Sequence, residues 1–242
     1  VTIRVLDLER RAGGTSTSGE DGVVPYPWGA HYVPMPRRDQ PLLLELLAEM
    51  GAVVSRPDSG FEGAESARIR APEERLFIDG AWHEGLFPSS RAGAGDHAEL
   101  RRFEHEIEEL VGFRDARGRR AFTLPVRDCS DAPELTAFDR ISAATWLREN
   151  GFRSKLLRWY VEYACRDDYG LSLERTSAWA MLFYFCARVA APGQASAPFL
   201  SWPEGNRRMV PHLRRPLGER LRLNQLVTDV VPSADGVELV AL

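Results

Sequence analysis

Val1-Thr2-Ile3-Arg4-Val5-Leu6-Asp7, followed by Arg11-Ala12-Gly13-Gly14-Thr15-Ser16, is the stretch around which the rest of the chain is organised. Val1, Ile3, Val5 and Leu6 predict a short β-strand, because β-branched and alternating apolar residues fit a pleated, half-buried surface. The strand ends in an acid. Six and seven residues after Asp7 stand two adjacent glycines, which permit close backbone approach and positive φ.

An acid at the tip of the second strand of a dinucleotide-binding βαβ unit accepts hydrogen bonds from the adenosine ribose. A charged acceptor there contributes roughly 1.5–3 kcal/mol. Val5-Leu6-Asp7 with Arg11-Ala12-Gly13-Gly14 resembles the strand–acid–Gly-Gly segment of FAD-dependent oxidoreductases of the amine oxidase, phytoene desaturase and protoporphyrinogen oxidase type. That family usually carries Glu where Asp7 stands and often Arg where Thr15 stands, so Thr15 offers a hydroxyl without a charge. A plain strand running into a glycine turn is the alternative reading of the same residues.

Downstream, Thr15-Ser16-Thr17-Ser18-Gly19 and the segment Val24-Pro25-Tyr26-Pro27-Trp28-Gly29-Ala30-His31-Tyr32-Val33-Pro34 predict loop with brief extended pieces, since proline removes donors and fixes φ. A leucine-rich helix follows to Met50, with Asp39 as its N-cap, Pro41 in its first turn and Gly51 as its stop. This order also resembles the amine oxidase family, in which the loop matching Trp28-Gly29-Ala30-His31-Tyr32 passes beside the flavin ring. Val227 matches a position where family members hold adenine with backbone groups. The resemblance therefore implies FAD as cofactor, with Asp7, Arg11, Gly13, Gly14, Thr15, Trp28, Gly29, Ala30 and Val227 as the residues that bind it.

The middle of the chain reads differently. Residues 53–95 predict a small antiparallel patch with a hairpin at Asp79-Gly80. Asp96 to Arg117 predicts a charged helix with Leu100, Phe103, Ile107, Leu110 and Val111 as its apolar stripe and its glutamates as a solvated face. Three more helices are expected, starting at Ser142, Ser154 and Ser172. After a Gly/Ala/Ser/Pro linker over 191–198, a Pro/Gly turn at 203–205 leads into a helix from Arg208 to about Leu217. A strand over Leu221 to Val227 and a hairpin around Asp235-Gly236 complete the chain. The fold class is α/β, α+β overall: an incomplete Rossmann-like FAD-binding domain from 1–35 and 199–242. A mixed helical and antiparallel-sheet substrate domain is inserted over 36–198.

The chain has 242 residues and a net charge of −4, which excludes the basic footprint of a nucleic-acid binder. Three cysteines without C-x-x-C spacing give neither a disulfide framework nor a zinc knuckle, and the histidines form no ligand pattern. The longest apolar run, 178–187, is too short to cross a bilayer. A cytoplasmic location is expected, with an export signal upstream of Val1 left open. The sequence contains no G-x-G-x-x-G turn, which the resemblance places upstream of Val1, and the family's final FAD segment would lie downstream of Leu242. The chain is therefore expected to be an internal piece of a flavoprotein that does not hold FAD tightly alone: a fragment, a partly observed chain, or a subunit completed by a partner chain.

Flavin chemistry needs few reacting side chains, because the isoalloxazine takes the hydride and the protein orients and shields it. Candidate catalytic residues are His31, Tyr32 and Asp168, with Arg166 or Arg175 as the expected partner of Asp168. Tyr160, Tyr163, Tyr169 and Trp179 are candidates for a substrate pocket; the alternative is that they are ordinary core aromatics. The function read from the sequence is hydride removal from a C–N or C–C bond of a small organic substrate. Alternatives are a non-catalytic binding or scaffolding module of the same descent, or the partner-completed subunit; the partners expected are a small-molecule substrate and either a second copy of the chain or a partner chain.

Overall fold

The computed structural model describes residues 3–56, 60–69, 74–194, 198–234 and 236–242. It divides into two compact units, Val1–Ile69 with Phe199–Leu242, and Arg70–Pro198. The opening strand is shorter than its composition predicts: β1 is Val5–Leu6, with Ile3 exposed and Val1 outside the described residues. β2 (Ser18–Glu20) and β3 (Pro25–Pro27) form a small antiparallel ladder, and β4 is Tyr32–Pro34. Helix α1 runs from Pro41 to Glu49 and buries Leu44 and Leu47. Its N-cap is Gln40, not Asp39, because the Asp39 carboxylate is drawn away into an ion pair with Arg37. β5 (Val53–Arg56) and β6 (Gly60–Gly63) pair antiparallel behind it.

The second unit begins with a hairpin of β7 (Arg75–Ile78) and β8 (Ala81–Glu84), turning at Asp79-Gly80 with φ of 54° and 78°. Among the described residues five α-helices follow: α2 (Ala94–Gly112), α3 (Pro133–Thr136), α4 (Ala143–Glu149), α5 (Lys155–Tyr169) and α6 (Ala178–Cys186). α2 ends at Gly112, short of Arg117, because Asp115 organises residues 115–119 into a turn of their own. Its predicted stripe faces the core, with Phe103, Ile107 and Val111 buried and Leu100 and Leu110 packed against them. Phe103 sits edge-on to Trp146, Phe152 and Phe185, a geometry that aromatic quadrupoles favour.

The helix starts at Ser142 and Ser154 hold: each hydroxyl accepts the N–H three residues on. α6 is capped by Ser177 and not Ser172, since residues 171–176 are spent on a turn whose Thr176 N–H and hydroxyl both bond the Ser172 carbonyl. α5 ends on Gly170 at φ 64°.

The returning segment completes the first unit. β9 (Phe199–Ser201) pairs antiparallel with β4 and buries Leu200 in a second core with Val33, Leu44, Leu47 and Val53. A helical turn leads into α7 (Met209–Arg214). The strand expected over 221–227 is split. β10 (Leu221–Arg222) lies parallel to β1, while Val227 opens the hairpin of β11 (Val227–Ser233) and β12 (Gly236–Ala241). Asn224, at φ 55°, breaks the run between them. The hairpin agrees with the expectation, although Asp235 itself lies outside the described residues. Among the described residues the parallel sheet consists of β1 and β10 alone.

Candidate functional site

The tip of β1 is held by its parallel neighbour. The Asp7 N–H donates to the Arg222 carbonyl at 2.9 Å, the Gln225 N–H to the Asp7 carbonyl at 3.0 Å, and the Asn224 N–H to the Glu9 carbonyl at 3.2 Å. Asp7 Oδ1 accepts the Glu9 N–H at 3.0 Å, an Asx-type contact that orients the carboxylate. Oδ2 has no hydrogen-bond partner among the described residues. Gln225 therefore stands beside Asp7, and Val227 lies two residues further on.

The glycine pair closes a tight turn. Ser16 N–H donates to the Gly13 carbonyl at 2.8 Å, and the Thr17 hydroxyl to the Gly14 carbonyl at 2.7 Å. Gly13 has φ 130°, and a side chain there would meet Val210 of α7 at 3.3 Å. Around Gly14 nothing lies within 4 Å of where a Cβ would stand, so its backbone faces open space. A cleft of about 440 Å³ opens at this place, lined by Glu9, Arg10, Arg11, Gly14, Thr17 and Asn224 among others.

Thr15 ties the turn to the second predicted segment. Its carbonyl accepts the Ala30 N–H at 3.2 Å, and a Cβ on Gly29 would stand 2.8 Å from the same oxygen. Glycine at 29 is thus what allows the two stretches to touch. Trp28 donates its N–H to Thr17 and leaves its ring exposed. The returning chain grips the other side. Asn206 N–H donates to the Ala30 carbonyl at 3.0 Å, its Nδ2 to the Tyr32 carbonyl at 3.0 Å, and the Ser201 hydroxyl to the His31 carbonyl at 2.5 Å. Asn206 Oδ1 is buried and has no partner among the described residues, so an acceptor waits beside this segment. His31 Nδ1 lies 3.0 Å from the Gly29 carbonyl, and the Tyr32 ring packs on Phe199 at 4.4 Å.

A second cleft of about 610 Å³ borders the first and shares only Arg10 and Arg11 with it. Its other cations are Arg207, Arg214 and Arg215. None of these three was singled out in the sequence. The available signal was the pair of arginine doublets 207–208 and 214–215, seven residues apart, a spacing that returns to the same side of a helical segment.

In the second unit the predicted aromatics separate. Tyr160 is packed between Phe87 and Phe185, and burial, with Glu74 and Glu104 nearby, pushes its phenol up to about 12. The Tyr169 hydroxyl donates to the Ala180 carbonyl at 2.7 Å. Trp179 stacks on Phe183 against the core, and Tyr163 stacks on Trp159 at the surface. Asp168 pairs with Arg188 at 3.7 Å, not with Arg166, which bonds Glu162, nor with Arg175. Burial raises the Asp168 carboxyl above its usual range, with Arg188 opposing and Asp167 adding to the rise. The three cysteines are buried and free. Among the described residues no cluster of metal-ligating side chains occurs, and no helix is long and apolar enough to cross a membrane.

Neither a sequence-family model nor a curated protein matches the chain. Solved structures do. Wild-type putrescine oxidase bound to putrescine aligns with a TM-score of 0.67 at 16% identity, over 100% of this chain and 49% of its own. A double mutant of the same oxidase, from a redesign of cofactor binding, aligns with a TM-score of 0.67 over 98% and 49% at 16% identity. A protein of Pyrococcus furiosus aligns with a TM-score of 0.51 over 98% and 50% at 17% identity. The chain spans about half the length of these proteins, and at such identities the likeness is one of fold.

Proposed function

We propose that the first unit carries the adenosine side of an FAD site and that the parent protein is an FAD-dependent oxidoreductase removing a hydride from a C–N or C–C bond. The observation that carries this reading is the β1 tip. A carboxylate oriented by its own backbone turn, an open-faced glycine turn and an adjoining cleft converge there, in a fold similar to an oxidase with a cofactor site. The residues present fit the group. Asp7 would accept the ribose hydroxyls through its free oxygen, Gly13 and Gly14 would let a diphosphate approach backbone, and Arg11 and the Thr15 hydroxyl would face its negative charge. Gly29 and Ala30, with Trp28, would present backbone and ring to the flavin, and the unpartnered Asn206 Oδ1 gives this segment an acceptor for a ligand N–H. Val227 would meet the adenine.

Bound FAD supplies the hydride acceptor. The protein's part is to orient and to exclude water, with His31 and Tyr32 at the ring side and Asp168 as the candidate carboxylate of the inserted unit. Tyr160, Tyr163, Tyr169 and Trp179 are proposed as substrate-facing aromatics. A small amine is the substrate class that the fold likeness suggests first.

The test is a flavin-fluorescence titration of the full gene product and its Asp7→Ala variant. Loss of a charged acceptor predicts FAD binding weakened by about 10- to 100-fold. Equal affinity in the two proteins would remove Asp7 from the site.

A further inference from the structure

We propose that the arginine-lined cleft beside α7 is a second anion site, taking a soluble diphosphate-bearing small molecule other than the flavin cofactor. Arg10, Arg11, Arg207, Arg214 and Arg215 all line it, and no carboxylate does. Elsewhere several arginines meet a carboxylate, Arg91 with Asp79, Arg119 with Asp115, Arg166 with Glu162 and Arg188 with Asp168, while Arg102, Arg114 and Arg220 are spread singly and bond backbone carbonyls. Arg10, Arg11, Arg214 and Arg215 have no acidic partner among the described residues. Arg207 is held in place by the Ser18 hydroxyl at 3.0 Å, a neutral acceptor that leaves its charge uncompensated. Five like charges around one concavity repel, in a protein whose net charge is negative. A ligand bearing several negative oxygens reverses that cost, because guanidinium forks match phosphate geometry two bonds at a time.

The dimensions agree with a small molecule. About 610 Å³ exceeds what one orthophosphate needs and falls within the range of ligand clefts. Ala12, Val210 and Leu223 add apolar lining between the arginines. The site does not rest on the flavin reading, since three of its five cations belong to the α7 segment and line no part of the cleft beside Gly14.

The experiment is calorimetric titration of the full gene product with inorganic pyrophosphate at fixed low ionic strength, beside its Arg214→Ala/Arg215→Ala variant. We expect saturable one-to-one binding to the wild type, weakened at least about tenfold in the variant. Circular dichroism should show both proteins folded alike, as the two side chains are exposed. FAD affinity should be the same in both, and saturating FAD should leave one equivalent of pyrophosphate bound through Arg207, Arg214 and Arg215, weakened only by the share that Arg11 gives to the flavin. Absence of saturable binding to the wild type, or undiminished binding to the variant, overturns the proposal. Displacement of pyrophosphate by FAD overturns it as well, since the cleft would then belong to the cofactor site. Pyrophosphate binding in a protein that takes no FAD would leave this inference standing and remove the flavin one.

Discussion

Gly205 sits at φ +61°, and a methyl group there would stand 2.6 Å from Pro27 Cβ and 2.9 Å from the Ala30 carbonyl oxygen. It is the point at which the returning chain presses on the Trp28–Tyr32 segment. Gly205→Ala adds left-handed strain to a clash with backbone, so a stability loss of ~2 kcal/mol or more is expected in urea unfolding. Gly51→Ala, also at positive φ but with nothing within 4 Å, meets the strain alone and should cost about 1 kcal/mol. Equal losses would mean that the packing at 205 is not what fixes the segment. Asp115 makes a different argument. Burial works to raise its carboxyl, but bonds from the Arg119 N–H and Nε, the Ser130 hydroxyl and the Arg117 N–H outweigh it, so the group is held well below the usual carboxylate range. A depressed value in the folded protein stabilises it above the unfolded value of about 4, and that contribution is lost as pH falls through the folded value. Asp115→Asn should therefore lower the melting temperature by a few degrees at pH 7, with the gap from wild type narrowing below pH 4. A gap that does not change with pH would contradict this.

At the scale of elements, the helix ends of the second unit show what local sequence carries. Ser142 and Ser154 are legible because a hydroxyl before an apolar run satisfies an orphan N–H whatever lies around it. Ser172 misleads for the same reason: it is an equally good cap, and only the turn through Thr176 shows that Ser177 takes the role. The contacts between the starts of α2 and α5 were not legible at all. The Ser154 hydroxyl donates to Asp96 Oδ1 at 2.6 Å while it accepts from Leu157, and Glu99 accepts the Arg153 and Ser154 N–H groups from 54 and 55 residues away. Glu99 thus works as a tertiary cap, although helical periodicity assigns it to the solvated face. Ser154→Ala removes both of its hydroxyl bonds and should cost about 1–2 kcal/mol in chemical denaturation. A loss below ~0.5 kcal/mol would reduce the residue to an ordinary surface serine.

For the whole molecule, the strand–acid–Gly-Gly pattern told more than its length suggested. It led to a fold whose solved neighbours include putrescine oxidase at 16% identity, because a strand, its closing acid and a glycine turn are set by residues close together in sequence. The same pattern said little about extent, since the length of β1 and the break at Asn224 depend on which neighbours each strand finds. Long-range charge grouping was equally invisible, because Arg10 and Arg215 are joined only by folding. The central proposal is that this fold holds a flavin. Visible absorption of the full gene product, as purified and after reconstitution with FAD, tests it most directly. Stoichiometric flavin bands that survive desalting, and bleach when substrate delivers a hydride, are the expected result. A colourless protein that takes up no FAD would contradict the claim and leave a binding or scaffolding module in its place.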